Sequence, residues 1–279
     1  MANGIDFHTR KIDILRNTTS QEKKKEPHFH NYHEFMYIIQ GKARITINDR
    51  IYEAGPNSLL AISNLEKHHW KTLTLPFERY CIMFKPEYFH ISIQDQVLSS
   101  VFRNRPDYFV HLLQLSQEDS DRLLNLVKQM EQEINDGKVY WEINLRSLFQ
   151  AFIISLYRNY SSFFPVPTLN KTAALILEIQ KYIENNCQHQ ITLLGIAKEN
   201  FIDKYYLSHQ FKKVTGFSFK EYLILQRIAK AKELICHSME NITEIGLSSG
   251  FNNVNHFIRI FKKYEGITPY QYRKRMKLS

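Results

Sequence analysis

Three histidines and a carboxylate in the first quarter of the chain carry the residue types for metal or ligand chemistry. His28 and His30 are two apart, Glu34 follows, and His68 lies further on. Side chains two apart on an extended segment share a face. The two imidazoles can therefore converge, and with Glu34 and a later histidine they would ligate a divalent transition metal. The same groups would also hydrogen-bond an organic ligand, or only one another. A second set lies near the C-terminus. Arg259 suits bidentate bonding to guanine and Asn255 to adenine, while Lys262 and Lys263, one turn on, suit phosphates.

The C-terminal set belongs to a stretch that occurs twice. Leu193–Ala197, Asp203–Lys213 and Gly216 return as Ile242–Gly246, Asn253–Lys263 and Gly266. Phe211 and Phe261, Gly216 and Gly266, and Tyr222 and Tyr272 are each 50 apart, whereas Leu193 and Ile242 are 49 apart. The second copy therefore has one extra residue, expected in the Gly250-Phe251 turn. Two copies are too few for a solenoid and read as paired modules. Asp203 and Asn253 are N-cap residues. Leu207, Phe211 and Val214, like Phe257, Phe261 and Tyr264, form one buried stripe per helix. The opposite faces carry Tyr205, Ser208, His209 and Lys212 in one copy and Asn255, Ile258, Arg259 and Lys262 in the other. Asn253 and His256, at the start of the second helix, are further candidate readers. A short helix, a turn and a capped helix with a polar, cationic outer face describe a helix-turn-helix.

This stretch resembles the DNA-binding domain of AraC/XylS-type transcription regulators over roughly residues 172–275. The most specific part runs from Gly250 through Phe257 to Phe261-Lys262-Lys263-Tyr264-Glu265-Gly266-Ile267-Thr268-Pro269 and Tyr272-Arg273. Gly246 stands where the family usually has Ala, and Val254 and Ile258 where polar residues are common. Upstream, His28, His30, Glu34 and Gly41 reproduce the first cupin motif, H-x-H-x3-E-x6-G, although Asn57 replaces the Asp often found after Gly55. AraC-type barrels resemble cupins but commonly hold an organic effector in the barrel mouth. The resemblance thus implies a ligand-responsive, sequence-specific regulator, an activator, with double-stranded DNA, a small-molecule effector, RNA polymerase and a second copy of the chain as partners. It implies no cofactor, no resident metal and no catalytic residues. The candidate effector set is His28, His30, Glu34, Tyr37, Arg44, His68 and Trp70, whose mixture of rings and charges suits a sugar-like ligand. The alternatives are a metal-dependent cupin enzyme with a DNA-binding appendage, using His28, His30, Glu34 and His68, and a general nucleoid protein. Against the second stand the directional, uncharged Ser208 and Asn255.

The expected fold is α+β in two domains. Residues 1–164 would form a cupin-like β-barrel with two or three following helices, serving effector binding and dimerisation. Residues 165–279 would form an all-α domain of two helix-turn-helix modules joined by a long helix, Phe219 to about His237. Residues 1–27 read as a solvated arm. Strands are expected at Phe35–Ile39, Ala43–Ile47, Ile51–Glu53, Ser58–Ile62 and Tyr80–Phe84, with a hairpin turn at Asn48-Asp49. Helices are expected over 117–136 and 141–160, and Leu123, Val127, Met130 and Ile134 could be a dimer seam or pack on their own barrel. Ser161–Pro167 reads as a linker stiffened by two prolines.

Charge is distributed unevenly. The net charge is +9, and residues 165–279 hold 17 Lys and Arg against 9 Asp and Glu, the remainder 20 against 19. An excess confined to the paired modules fits a domain that displaces counterions from phosphates. Three scattered cysteines show no metal or redox spacing and fit buried thiols in a reducing cytosol. No apolar leader and no span long enough for a bilayer is evident, so a cytoplasmic protein is expected.

Overall fold

A computed structural model describes residues 11–165 and 171–277. Residues 1–10 of the expected arm, and Val166 and Pro167 of the expected linker, lie outside that range. The chain divides into two compact units, Met1–Pro167 and Thr168–Ser279.

The first unit holds β1 (Ile12–Thr19), β2 (His33–Ile47), β3 (Arg50–Ala54), β4 (Ser58–Ile62), β5 (His68–Phe84) and β6 (Leu112–Gln114). They form one antiparallel sheet in the order β1-β5-β2-β4-β6, with β3 paired to β2. The hairpin turn at Asn48-Asp49 is present, with Ile47 opposite Arg50 and Asn48 at a φ of 52°.

Much of what read as an arm is sheet. Ile12 and Ile14 alternate into the core, and β1 pairs with β5 over eight residues. Lys23 to His28 then run along the first part of β5, through Lys25 N to Trp70 O at 2.9 Å and His28 N to His68 O at 3.1 Å. Few apolar residues mark these segments, so their polarity concealed the pairing.

The two expected strands Phe35–Ile39 and Ala43–Ile47 are one strand, β2, bent by bulges between Ile38 and Ala43. An extra residue in one strand of a pair reverses which side chains face the core. Accordingly Phe35 and Tyr37 face one apolar cluster, while Met36, Ile38 and then Ala43, Ile45 and Ile47 face the other. Gly41 sits at the bend with a φ of 77°, and a Cβ there would lie 2.3 Å from Pro76 O. Both the left-handed backbone and the close approach require glycine.

Four helices cover the first cluster, rather than two or three. They are α1 (Pro86–Ser92), α2 (Gln96–Arg103), α3 (Gln117–Asp136) and α4 (Trp141–Asn159). α3 is capped by Ser116 and ends at Gly137 in the left-handed region. Leu123, Val127, Met130 and Ile134 are all buried within their own unit, beside Phe149, Phe152 and Leu156 of α4. The dimer-seam reading of this stripe is thereby corrected. Intramolecular packing produces the same three-and-four spacing as a seam between chains.

A buried polar group ties the loops together. Glu66 Oε1 lies 3.0 Å from Arg105 Nε and 3.0 Å from His111 Nε2, and Glu66 Oε2 accepts from Ser63 N at 2.7 Å. The Tyr52 hydroxyl reaches His111 Nδ1 at 2.9 Å, and the Arg105 guanidinium covers the Phe109 ring at 4.2 Å.

The second unit holds α5 (Lys171–Asn186), α6 (Leu193–Glu199), α7 (Lys204–Thr215), α8 (Phe219–His237), α9 (Ile242–Ser248), α10 (Val254–Glu265) and α11 (Pro269–Lys277). α8 joins the modules as expected and buries Tyr222, Leu225, Ile228, Ala229, Ala231 and Ile235. Cys81 and Cys187 are buried free thiols, but Cys236 is only half-buried. Among the described residues no helix is long and apolar enough to cross a membrane.

Candidate functional site

α6 and α7 form one helix-turn-helix, α9 and α10 the other. Asp203 Oδ1 accepts from Tyr205 N at 2.9 Å and Tyr206 N at 2.8 Å; Asn253 Oδ1 accepts from Asn255 N at 2.8 Å and His256 N at 3.1 Å. Both caps occupy free N–H groups at the helix start. Asn253 thus spends its carbonyl on the helix, leaving only its amide N–H group to face outward.

The extra residue of the second copy can be assigned. Ile202 N bonds Ala197 O and Phe251 N bonds Gly246 O, both at 3.0 Å, so Ile202 matches Phe251 at an offset of 49. The caps Asp203 and Asn253 are 50 apart, which makes Asn252 the insertion, one residue beyond the expected Gly250-Phe251. Gly250 turns at a φ of 93°, and a Cβ there would meet Cys187 O at 2.6 Å. Gly246 has a reason too: an alanine methyl would lie 2.8 Å from the Phe257 ring.

The two recognition helices share two buried anchors and an exposed outer face, but Val214 is buried whereas Tyr264, expected in the matching stripe, is only half-buried. Leu207 and Phe211 match Phe257 and Phe261 as buried anchors. Tyr205, His209 and Lys212 are exposed, as are Asn255, His256, Arg259 and Lys262; Ser208 and Ile258 are half-buried at equivalent places. The structure thus gathers the predicted residues on one outer face per helix, each face ending in an exposed lysine pair, Lys212-Lys213 and Lys262-Lys263. The side chains differ. His209 stands where the second copy has Arg259, Tyr205 where it has Asn255, and Ser208 where it has Ile258.

The second unit contains its own buried stripes, caps and nearly all the surplus charge. A fragment of residues 168–279 should fold alone and bind DNA, seen as a cooperative loss of helical circular dichroism and a mobility shift on DNA. An insoluble fragment, or a folded one indifferent to DNA, would contradict this.

In the first unit His28, His30, Glu34 and His68 converge. One ring nitrogen from each histidine lies within 4.8 Å of those of the other two. Glu34 Oε2 is 3.2 Å from His30 Nε2 and 3.7 Å from His68 Nε2. Glu34 and His68 are buried, whereas His28 and His30 are half-buried and open the group outward. Each histidine also places Nδ1 on a main-chain carbonyl: His28 on Glu26 O at 3.0 Å, His30 on Tyr32 O at 3.0 Å and His68 on Glu66 O at 2.9 Å. Burial, helped by the neighbouring His68 and Lys25, pushes His28 down to about 2; burial and His30 push His68 down to about 4. Burial alone would raise Glu34, but the hydrogen bond with His30 and the charges of His68 and His30 outweigh it and hold the carboxyl below its usual range.

The other predicted effector residues stand elsewhere. Tyr37 faces the opposite side of β2 from Glu34 and hydrogen-bonds Ser120 of α3. Arg44 points to solvent and pairs with Glu53 at 2.7 Å. Alternation along β2 separates both from the histidines. Trp70 shares the inner face with His68 but is buried in the core beneath the Arg79 guanidinium, 4.4 Å away. Missed were Tyr32, whose ring centroid is 6.0 Å from that of His30, and the Cys81 thiol, which donates to Glu34. Only the pairing of β2 with β5 reveals Cys81. A separate cleft of about 250 Å³ is lined by Lys11, Tyr88, Ile91, Trp141, Glu142 and Arg146, among others.

Fold and surfaces define a class: a regulator with a sensory sheet domain ahead of paired helix-turn-helix modules. A sequence model of the AraC-like ligand binding domain matches residues 12–150, and one of a helix-turn-helix domain matches residues 196–275. The HTH-type transcriptional activator RhaR of Salmonella arizonae is 24% identical over 249 residues, covering 88% of this chain and 86% of that protein. RhaR of Salmonella schwarzengrund matches to the same extent. The ToxT structure from Vibrio cholerae O395 bound to (E)-4-(8-methylnaphthalen-1-yl)but-3-enoic acid superposes with a TM-score of 0.64 at 18% identity, over 96% of this chain and 100% of that one. Fatty-acid-bound ToxT from Vibrio cholerae strain SCE256 gives 0.60 at 17%, over 94% of each. The chain belongs to the AraC family and is a ligand-responsive DNA-binding transcription regulator. The enzyme alternative finds no support in these relatives.

Proposed function

We propose that this regulator is an activator that lays α7 and α10 in successive major-groove segments of its operator, under control of a polar effector bound by His28, His30, Glu34 and His68. The repeated exposure pattern of α7 and α10 carries the reading. Two capped helices with matching outer faces suit two groove segments about 34 Å apart, one DNA turn. The activating sign extends to this chain from the RhaR relatives, which bear the name of activators. RNA polymerase and a second copy of the chain are the partners it entails, in the cytosol; the second copy must meet a surface other than the α3 stripe. Binding-site selection from random DNA, with and without a metabolite panel, tests the whole. A single enriched motif, sharpened by one metabolite, is expected; no enrichment under any condition would sink it.

The location of the effector has its own test. Glu34→Gln keeps the shape but removes the charge, and a hydrogen bond to a charged group contributes about 1.5–3 kcal/mol. The half-maximal effector concentration should rise about tenfold or more, while DNA affinity without effector stays within about threefold, because distant sites act independently. A second reading places the effector in the cleft of Tyr88, Trp141 and Arg146, whose aromatic and cationic lining suits an organic acid of the kind held by the ToxT structures. It prevails if Arg146→Ala removes the response and Glu34→Gln spares it.

A further inference from the structure

The tautomers of the three converging histidines are fixed by their surroundings. A carbonyl oxygen can only accept, so Nδ1 of His28, His30 and His68 must each donate, to Glu26 O, Tyr32 O and Glu66 O. In a neutral ring the proton then sits on Nδ1 and Nε2 keeps its lone pair. The two close contacts to the fourth group are made by Nε2, of His30 at 3.2 Å and of His68 at 3.7 Å, and they meet a carboxylate oxygen of Glu34 that also only accepts. Acceptors thus face acceptors. A proton on His30 would satisfy its contact with Glu34 but not the contact of His68 Nε2 with the same carboxylate oxygen. A cation at the focus would satisfy all four groups at once.

We propose that His28, His30 and His68, through Nε2, and Glu34, through Oε2, bind one divalent first-row transition-metal ion. Three imidazoles and one carboxylate suit zinc, iron, nickel or copper rather than magnesium or calcium, which prefer all-oxygen shells. Carbonyl acceptors behind each ring are the outer partners that orient ligating histidines and raise their basicity. Metal–nitrogen bonds of about 2.0–2.1 Å put tetrahedral nitrogens about 3.4 Å apart, so the ring nitrogens, now within 4.8 Å of one another, need close only modestly. Half-buried His28 and His30 leave one side of the ion open, where an effector's oxygen atoms could coordinate. That last consequence rests on the sensory reading of this site; metal binding itself does not.

The full-length chain, stripped with chelator and titrated with Co(II), tests the proposal. Visible ligand-field bands should saturate at one ion per chain, and zinc should displace the cobalt. His68→Ala should weaken binding about 100-fold or more, since even outer-shell losses cost up to that. His28→Gln, at the open edge, provides a variant less exposed to misfolding and should weaken binding at least tenfold, with circular dichroism confirming the fold. A folded wild-type chain that takes up no metal at micromolar concentrations would overturn the proposal, as would variants that bind as well as wild type, which would move the ion to other histidines. Operator selection without metal dependence, beside one bound ion, would leave the site standing and separate it from the effector reading.

Discussion

Glu66→Ala should destabilise the first unit by about 3–5 kcal/mol, the cost of leaving one member of a buried pair without its partner. The variant strands the Arg105 guanidinium, which lies 3.0 Å from Glu66 with both side chains nearly sequestered from water. It also removes the acceptor of His111 Nε2. The chain has two tryptophans, Trp70 and Trp141, both in the first unit, so urea unfolding followed by their fluorescence reports that unit alone. The effect depends on pH. Burial alone would raise the Glu66 carboxyl; the charges of Arg105 and then His111 outweigh it and hold it down to about 2, from an ordinary 4.5. A carboxyl with a lowered folded-state pKa stabilises fully above the unfolded value and loses that contribution as pH falls through the folded one. The gap between wild type and variant should be full at pH 6–7 and shrink from about pH 4.5 towards 2. Equal urea midpoints at neutral pH would show the pair to be energetically silent.

Arg259→Ala should cost about 1–3 kcal/mol on the operator and flatten preference at one or two base positions. Lys262→Ala should weaken every sequence almost equally and lower the salt slope by about one. Both changes remove one positive charge from the same exposed face of α10, so charge alone cannot produce the contrast. Arg259 lies one turn nearer the helix start, which in the proposed docking enters the groove, whereas Lys262 lies further along, where that docking would bring the helix up towards the backbone. Quantitative binding to the selected operator and its single-base variants, at several salt concentrations, decides between them. Unchanged base preference in Arg259→Ala would make it a phosphate contact and shift the reading role to Asn255 or His256.

The second unit was largely legible in the chain because its signals are local. N-caps, four-residue stripes and a 50-residue period survive without knowledge of tertiary partners. The sheet was harder. β1 is marked only by Ile12 and Ile14, and bulges in β2 reverse the alternation on which a strand reading depends. The first part of β5 carries exposed Leu73 and Leu75 next to Pro76, which hides it. The short helices α1 and α2 offer too few turns for a period. For the candidate sensory site, spacing sufficed for His28, His30, Glu34 and His68, which share one face. It misplaced Tyr37 and Arg44, since alternation sends them elsewhere, and could not reach Cys81 across the sheet.

The two outer faces match in place but not in kind: His209 answers to Arg259, Tyr205 to Asn255 and Ser208 to Ile258. Two modules with identical outer faces would call for the same bases twice. Under the proposed docking this chain calls for two different sets, since Arg259 over bases suited to His209 would be a mismatch, and each mismatch costs about 1–3 kcal/mol. The operator expected of it is therefore two unlike words side by side, not one word repeated.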